Sequence, residues 1–138
     1  MVRDICKDIL FLQRKAREAT PEDKKTADDL LETLKAHSDW CVGMAANMIG
    51  EAVAVIAFNN EGKYEVMYNP EIIKRDGAYN TEEGCLSLSI EEKRPCKRYK
   101  SIKVKYQNEK FQTRIKSYQG FTAEIIQHEC DHLEGIII

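Results

Sequence analysis

An α+β fold, with antiparallel strands packed around a C-terminal helix, is the class the sequence predicts. Three observations predict it. Apolar residues recur at helical spacing near the start of the chain, at Ala27, Leu30, Leu31 and Leu34, and again at its end, at Phe121, Ile125, His128 and His132. The middle carries short runs such as Ile102, Val104 and Tyr106 alternating with Lys103 and Lys105, the pattern of half-buried strands. Turn residues such as Asn59-Asn60-Glu61-Gly62 separate those runs at hairpin spacing.

Taken in order, residues 1–19 are open. Ile5, Ile9, Leu12 and Ala16 have helical spacing, while Ile9-Leu10-Phe11-Leu12 also suits a short extended run. Thr20 is an N-cap candidate and Pro21 suits the first helical position. Glu22 and Asp23 complement the positive end of a helix, so the pattern predicts one over about 21–37. Residues 41–50 are rich in small residues, which let backbone approach another backbone or a ligand closely or make a tight turn. Residues 52–58 read as a strand, 59–62 as a turn and 64–69 as the hairpin partner. Pro70 interrupts, and 71–74 resume as an edge strand. Residues 102–106 and 111–117 form a further strand pair around a turn at 107–110. The last helix, of about three turns, runs from Phe121 between Gly120 as breaker and Gly135 as C-cap.

That last helix carries Gln127-His128-Glu129-Cys130-Asp131-His132-Leu133, with two of the chain's three histidines. Residues at i and i+4 share a helix face, so both imidazoles can reach one metal ion. Glu129 lies between them, placed to act as a general base on a water at that ion. A catalytic metal usually has three protein ligands and one open position. Cys, Asp, Glu or His could supply the third. His37 reads as a surface residue on a helix end, and Asp131 and Gln127 suit packing or support of the ligands better than ligation.

The 138 residues suit one domain over 1–138, and a 43% hydrophobic content suffices for a core. A formal net charge of −2 argues against nucleic-acid or membrane-surface binding. The cluster of Lys93, Arg94, Lys97, Arg98 and Lys100 reads as a solvated loop. Without a long apolar run or a signal-peptide core, the chain is expected to be soluble and cytoplasmic. Five cysteines, an odd number without a C-x-x-C pair, do not form a disulfide framework. Cys6, Cys41, Cys96 and Cys130 read as small apolar residues.

Gly43-Met44-Ala45-Ala46, then Glu83-Gly84-Cys85-Leu86-Ser87, then His128-Glu129-Cys130-Asp131-His132 resemble the motifs of peptide deformylases, in that family's order and near its spacing. The resemblance spans residues 41–135. It implies a deformylase-like fold and one divalent metal held by Cys85, His128 and His132. The native ion would be Fe(II), with zinc or nickel also accepted, since two imidazoles and a thiolate suit several first-row metals. The implied activity is hydrolysis of the N-formyl group from N-formylmethionyl peptides of nascent proteins. Glu129 would be the general base and the Leu86 N–H an oxyanion donor. Val42, Gly43, Phe121 and Ile125 would line the substrate pocket.

The chain departs from the family pattern in three places. The pattern G-x-G-x-A-A-x-Q reads here Cys41-Val42-Gly43-Met44-Ala45-Ala46-Asn47-Met48, and a thioether at Met48 cannot replace the glutamine that donates to the oxyanion. Asn47 lies next door, though at a variable position. Glu124 falls where the family has an apolar residue, and it either lines the pocket or turns to solvent. The chain stops at Ile138, whereas some relatives carry a C-terminal helix that contacts the ribosome. Contact of that kind is therefore not expected.

Three readings compete with a deformylase. One is a paralogue of the same fold with weak or altered amidase activity, or a peptide-binding protein, motivated by Met48 and Glu124. The second is an ordinary H-E-x-x-H zinc protease, for which no downstream ligand exists. The third is a purely structural metal site, which would need four protein ligands and no base.

Overall fold

Thr20 starts the first long helix by the route its residue type suggests. In the computed structural model, which describes residues 1–84 and 93–137, the Thr20 hydroxyl accepts from the Glu22 N–H. The Asp23 carboxylate takes the Thr20 N–H at 2.8 Å. This reciprocal box satisfies donors that a helix start leaves orphaned. The first turn, Pro21–Asp23, winds as a 3-10 helix and leads into an α-helix over Lys24–Ala36, so the expected helix over 21–37 is present with a tighter opening turn. Ahead of it, the ambiguous first segment resolves into a four-residue helix, Ile9–Leu12, capped by the Asp8 side chain. We call these helices α1 (Ile9–Leu12) and α2 (Lys24–Ala36).

Five strands follow: β1 (Gly43–Ala45), β2 (Val55–Asn60), β3 (Lys63–Glu83), β4 (Arg94–Gln107) and β5 (Thr113–Gln119). They form one sheet in sequence order, every neighbour antiparallel. The first hairpin is tighter than expected. Asn59 and Asn60 belong to β2, and only Glu61 and Gly62 turn the chain, with φ of 51° and 97°. Two positive φ values in a two-residue loop match the twist of the flanking strands. Asn59 still serves the turn, because its side chain accepts the Gly62 N–H at 2.7 Å.

Pro70 does not end a strand. β3 runs through it, with its register against β4 shifting between Tyr68 and Glu71. A bulge tolerates the missing donor of proline. Asn69, at φ 52°, anchors this kink by accepting the Ala19 N–H and donating to the Ala19 carbonyl and the Gln107 side chain. Residues 71–74 do form an edge on one side: pairing with β2 ends at Tyr68, and from Glu71 onward β3 pairs, among the described residues, with β4 alone. The basic cluster predicted as loop lies mostly on β4.

β2 explains the layering. Val55 and Ala57 pack with Leu30, Leu34 and Met44 toward α2, while Ile56 and Phe58 pack with Met67, Val104 and Ile126 toward the C-terminal helix. Successive side chains of a strand point to opposite faces, so a strand covered on both sides reads as a continuous apolar run. The sheet is thus wrapped around the last helix, α3 (Gly120–Leu133), with α2 on its other face.

α3 is pinned at three points. Gln127 exchanges two hydrogen bonds with the backbone of Tyr99, at 2.9 and 2.8 Å, fixing the helix to β4. The Gly135 N–H bonds the His132 carbonyl and the Ile136 N–H the Asp131 carbonyl, both at 3.0 Å, with Gly135 at φ 81°. This is a Schellman ending, as the position of Gly135 suggested. The Asn47 amide donates to the same His132 carbonyl at 2.8 Å. Among the described residues, no helix is long and apolar enough to cross a membrane.

Candidate active site

The helical spacing delivers what it promised. His128 and His132 stand one turn apart with their Nε2 atoms 3.0 Å from each other. His132 is 1% exposed, and burial, with help from the charges of His128 and Arg98, lowers its pKa to about 3. It is therefore a neutral ring at ordinary pH, the form that binds metals. His128 places Nδ1 2.7 Å from a Glu83 oxygen, which assigns the proton to Nδ1 and leaves the Nε2 lone pair for an ion.

Glu129 lies between the two rings in sequence and is buried at 4% exposure. Its Oε1 has no hydrogen-bond partner among the described residues, and burial pushes its carboxyl up to about 7. A buried carboxyl oxygen without a partner is costly. His128, Glu129 and His132 bring one ligand-capable atom each within 4.8 Å of one another. Convergent ring nitrogens, a neutral histidine and an orphaned carboxyl oxygen fit a divalent first-row ion with a water beside it.

Behind His128 lies a charged support that the sequence did not reveal. Arg98, 4% exposed, grips both oxygens of Glu83 through Nε and a terminal nitrogen, the closest contact being 2.7 Å. Its other terminal nitrogen holds Asp131 at 2.8 Å. Arg98 is thus no part of a solvated loop. Burial acts to raise Glu83, but hydrogen bonds from His128, Arg98 and Glu124 outweigh it and hold the carboxylate well below the usual range. The acidic residue bordering the cysteine motif was the available signal for Glu83. For Arg98 no local signal existed.

Glu83, His128 and Glu129 line a cavity of about 630 Å³. Val42, Gly43, Phe121 and Ile125 all border it, with Met48, Gly84 and Glu124. Phe121 is 64% and Trp40 75% exposed, both at the cavity's rim. His37, expected on the surface, also borders it, with Nδ1 tied to the Thr33 carbonyl at 2.8 Å. Cys85 and Leu86, the third ligand and the oxyanion donor suggested by resemblance, lie outside the described residues. A second cleft of about 760 Å³ adjoins across Val42 and Phe121, and its lining includes neither histidine of the pair nor Glu129.

Gly43 must be glycine for a steric reason. A Cβ there would lie 2.6 Å from Ile125 Cγ2 and 2.9 Å from Glu129 Oε2, closer than real contacts allow. Met48, 2% exposed, offers the cavity only a thioether. The Asn47 amide points to the end of α3, and Asn47 is not among the residues that line the cavity. The Cys41 thiol donates to the Gly43 carbonyl at 2.8 Å. Glu124 borders the cavity as well, and the neighbouring Glu83, with burial, pushes its carboxyl up to about 7.

A sheet wrapped around a helix with two convergent imidazoles and a buried carboxyl is the framework of an H-E-x-x-H hydrolase. Comparison with known proteins narrows the class. The polypeptide deformylase family model matches residues 3–138. A peptide deformylase of Clostridium beijerinckii is 48% identical over 138 residues, covering all of both chains. That of Dictyoglomus turgidum is 38% identical, covering 99% of this chain and 88% of its own. Among solved structures, the peptide deformylase of Thermotoga maritima superposes with a TM-score of 0.88 at 31% identity, covering 99% of this chain and 95% of that one. A class I type b peptide deformylase of Acinetobacter baumannii, solved with Met-Ala-Ser bound, gives 0.87 at 29%, covering 99% and 97%. The chain belongs to the polypeptide deformylase family, and its enzyme class is that of a peptide deformylase.

Proposed function

We propose that residues 1–138 form one catalytic unit that removes the N-formyl group from N-formylmethionyl peptides of nascent proteins in the cytoplasm. The observation that carries this reading is the pair of ring nitrogens 3.0 Å apart with the buried Glu129 between them in sequence, whose Oε1 has no partner among the described residues. The bound Met-Ala-Ser of the Acinetobacter relative supports a peptide with an N-terminal methionine.

Cys85, His128 and His132 would hold the ion, Fe(II) natively, with zinc or nickel able to replace it. When bound, that ion supplies Lewis acidity, which makes a water more acidic and polarises the formyl oxygen. The rest falls to the chain. Glu129 takes a proton from the attacking water as its oxygen bonds to the formyl carbon. As the C–N bond breaks, Glu129 returns that proton to the amine, and formate and a free peptide N-terminus leave. The Leu86 N–H donates to the developing oxyanion. Val42, Gly43, Phe121 and Ile125 seat the methionine side chain. Met48 supplies no second donor, so turnover is slower than a site with a glutamine there would give.

The test is formate release from a formyl-Met peptide by protein loaded with iron without air. The expected result is metal-dependent formate release. No detectable turnover in a metal-replete sample overturns the reading, and cleavage of unformylated peptides without formate would replace it with a protease.

A further inference from the structure

Trp40 is the chain's single tryptophan, and most of its surface is exposed. One exposed apolar residue needs no explanation. Trp40 is not isolated, however. Val42 is 38% and Phe121 64% exposed, and all three border the cavity that holds His128 and Glu129. Among the described residues, Trp40 stacks on no other ring and belongs to no cluster of the core. Its backbone is fixed all the same. The N–H groups of Trp40 and Cys41 both donate to the His37 carbonyl at 2.9 Å, which folds the link between α2 and β1 into a turn. The indole is thus held at the cavity mouth on an anchored turn, three residues before Gly43, with a large apolar face in water.

The cavity, at about 630 Å³, suits a small molecule and not a polypeptide. A peptide whose formyl group lies beside His128 and Glu129 therefore carries the rest of its chain across the mouth. In an extended chain, successive side chains point to opposite sides, about 3.3 Å apart along it. With the methionine side chain turned into the cavity, the second side chain points away from it. The third returns to the methionine's side, about 7 Å further out, where the apolar rim lies.

We propose that Trp40 is a specificity-determining residue, which packs its indole on the side chain of the third substrate residue and favours large apolar or aromatic side chains there over glycine. The inference rests on the reading of the cavity as the seat of a formyl-Met peptide. An indole offers a large contact area with only two side-chain torsions to fix, so little ordering opposes the contact. An aromatic pair of this kind changes affinity by roughly 3- to 10-fold.

Two measurements test it. Zinc-loaded protein is titrated with the product peptides Met-Ala-Phe and Met-Ala-Gly while the fluorescence of its single indole is recorded. Met-Ala-Phe is expected to shift the emission to the blue and to bind roughly 3- to 10-fold more tightly than Met-Ala-Gly. Formate release is then compared on formyl-Met-Ala-Phe, formyl-Met-Ala-Gly and formyl-Met-Phe-Ala for wild type, Trp40→Phe and Trp40→Ala, with thermal unfolding to confirm that each is folded. In wild type, kcat/KM favours Phe over Gly at the third position by the same factor, carried by KM. Trp40→Ala brings that ratio close to one, and Trp40→Phe keeps most of it. An equal ratio in wild type and Trp40→Ala overturns the proposal, as does an emission maximum that saturating Met-Ala-Phe leaves unmoved. A preference for Phe at the second position that Trp40→Ala abolishes overturns the assignment to the third. Dimers in sedimentation that Trp40→Ala abolishes and Met-Ala-Phe does not disperse would give the indole to a second copy of the chain instead. Absence of formate release in the wild type would sink the proposed reaction while leaving the fluorescence titration readable.

Discussion

The two walls of the cavity are built in opposite ways. On the α3 side, charged groups are bonded to one another several times over: Arg98 holds Glu83 and Asp131, and Glu83 holds His128. On the β1 side, bonds join neutral groups. The Cys41 thiol goes to the Gly43 carbonyl, the Asn47 amide to the end of α3, and Met48 has no donor at all. One wall fixes the direction of side chains through charge-assisted bonds. The other contributes shape and close backbone. Damage to the first leaves a buried charge without a partner, whereas damage to the second changes space or adds a group that was missing.

Substitutions sharpen that contrast. The largest effect belongs to Glu129, where the two walls meet. Glu129→Ala should lower formate release on the order of 10²–10⁴-fold while metal content, read by elemental analysis, is retained. A variant within tenfold of wild type would remove Glu129 from the chemistry.

Arg98→Met comes next and probes stability. It strands the carboxylates of Glu83, whose side chain is 9% exposed, and Asp131. Breaking a buried pair by removing one partner costs about 3–5 kcal/mol. Urea unfolding measures this, and a loss below about 1 kcal/mol, the scale of an exposed pair, would show that the α3 wall is not built as described.

Gly43→Ala tests the other wall through space. Its methyl group must displace Glu129 or Ile125. Misplacing a catalytic group by about 1 Å costs on the order of 10²-fold, so kcat should fall by that order with little change in metal content. Unaltered kcat would mean that Glu129 has room to retreat.

The smallest change is a gain. Met48→Gln adds a donor where none exists. Removing one oxyanion donor typically costs about 10²–10³-fold, and a donor placed without its supporting neighbours should recover roughly tenfold of that in kcat. An unchanged rate would falsify the idea that this wall lacks a donor.

Much of this was legible in the chain, and the limits were physical. The capped start of α2, the Schellman ending at Gly135 and the stacking of His128 over His132 depend on residues a turn apart, so their periodicity carries them. The strand at 52–58 was visible as an apolar run. Its bounds shifted because Asn59 and Asn60, turn formers by type, are held in β2 by pairing with Tyr64 and Lys63. Pro70 looked like a break because local rules see a lost donor, whereas the long pairing of β3 with β4 carries the strand across it.

Cys85 and Leu86, proposed as third ligand and oxyanion donor, were reached through resemblance alone and fall outside the described residues. Read alone, the chain yields its elements, the face they share and the pair of histidines with an acid between them, because each of these is written in near neighbours. Which of five basic residues goes inside and where the Asn47 amide points could not be read there. Their partners lie far along the chain: Arg98 meets Glu83 and Asp131 across a strand and a helix, and Asn47 meets His132 from the opposite end of the fold. A buried polar group takes whatever partner the packed fold brings within reach, and that choice exists only once distant segments have come together.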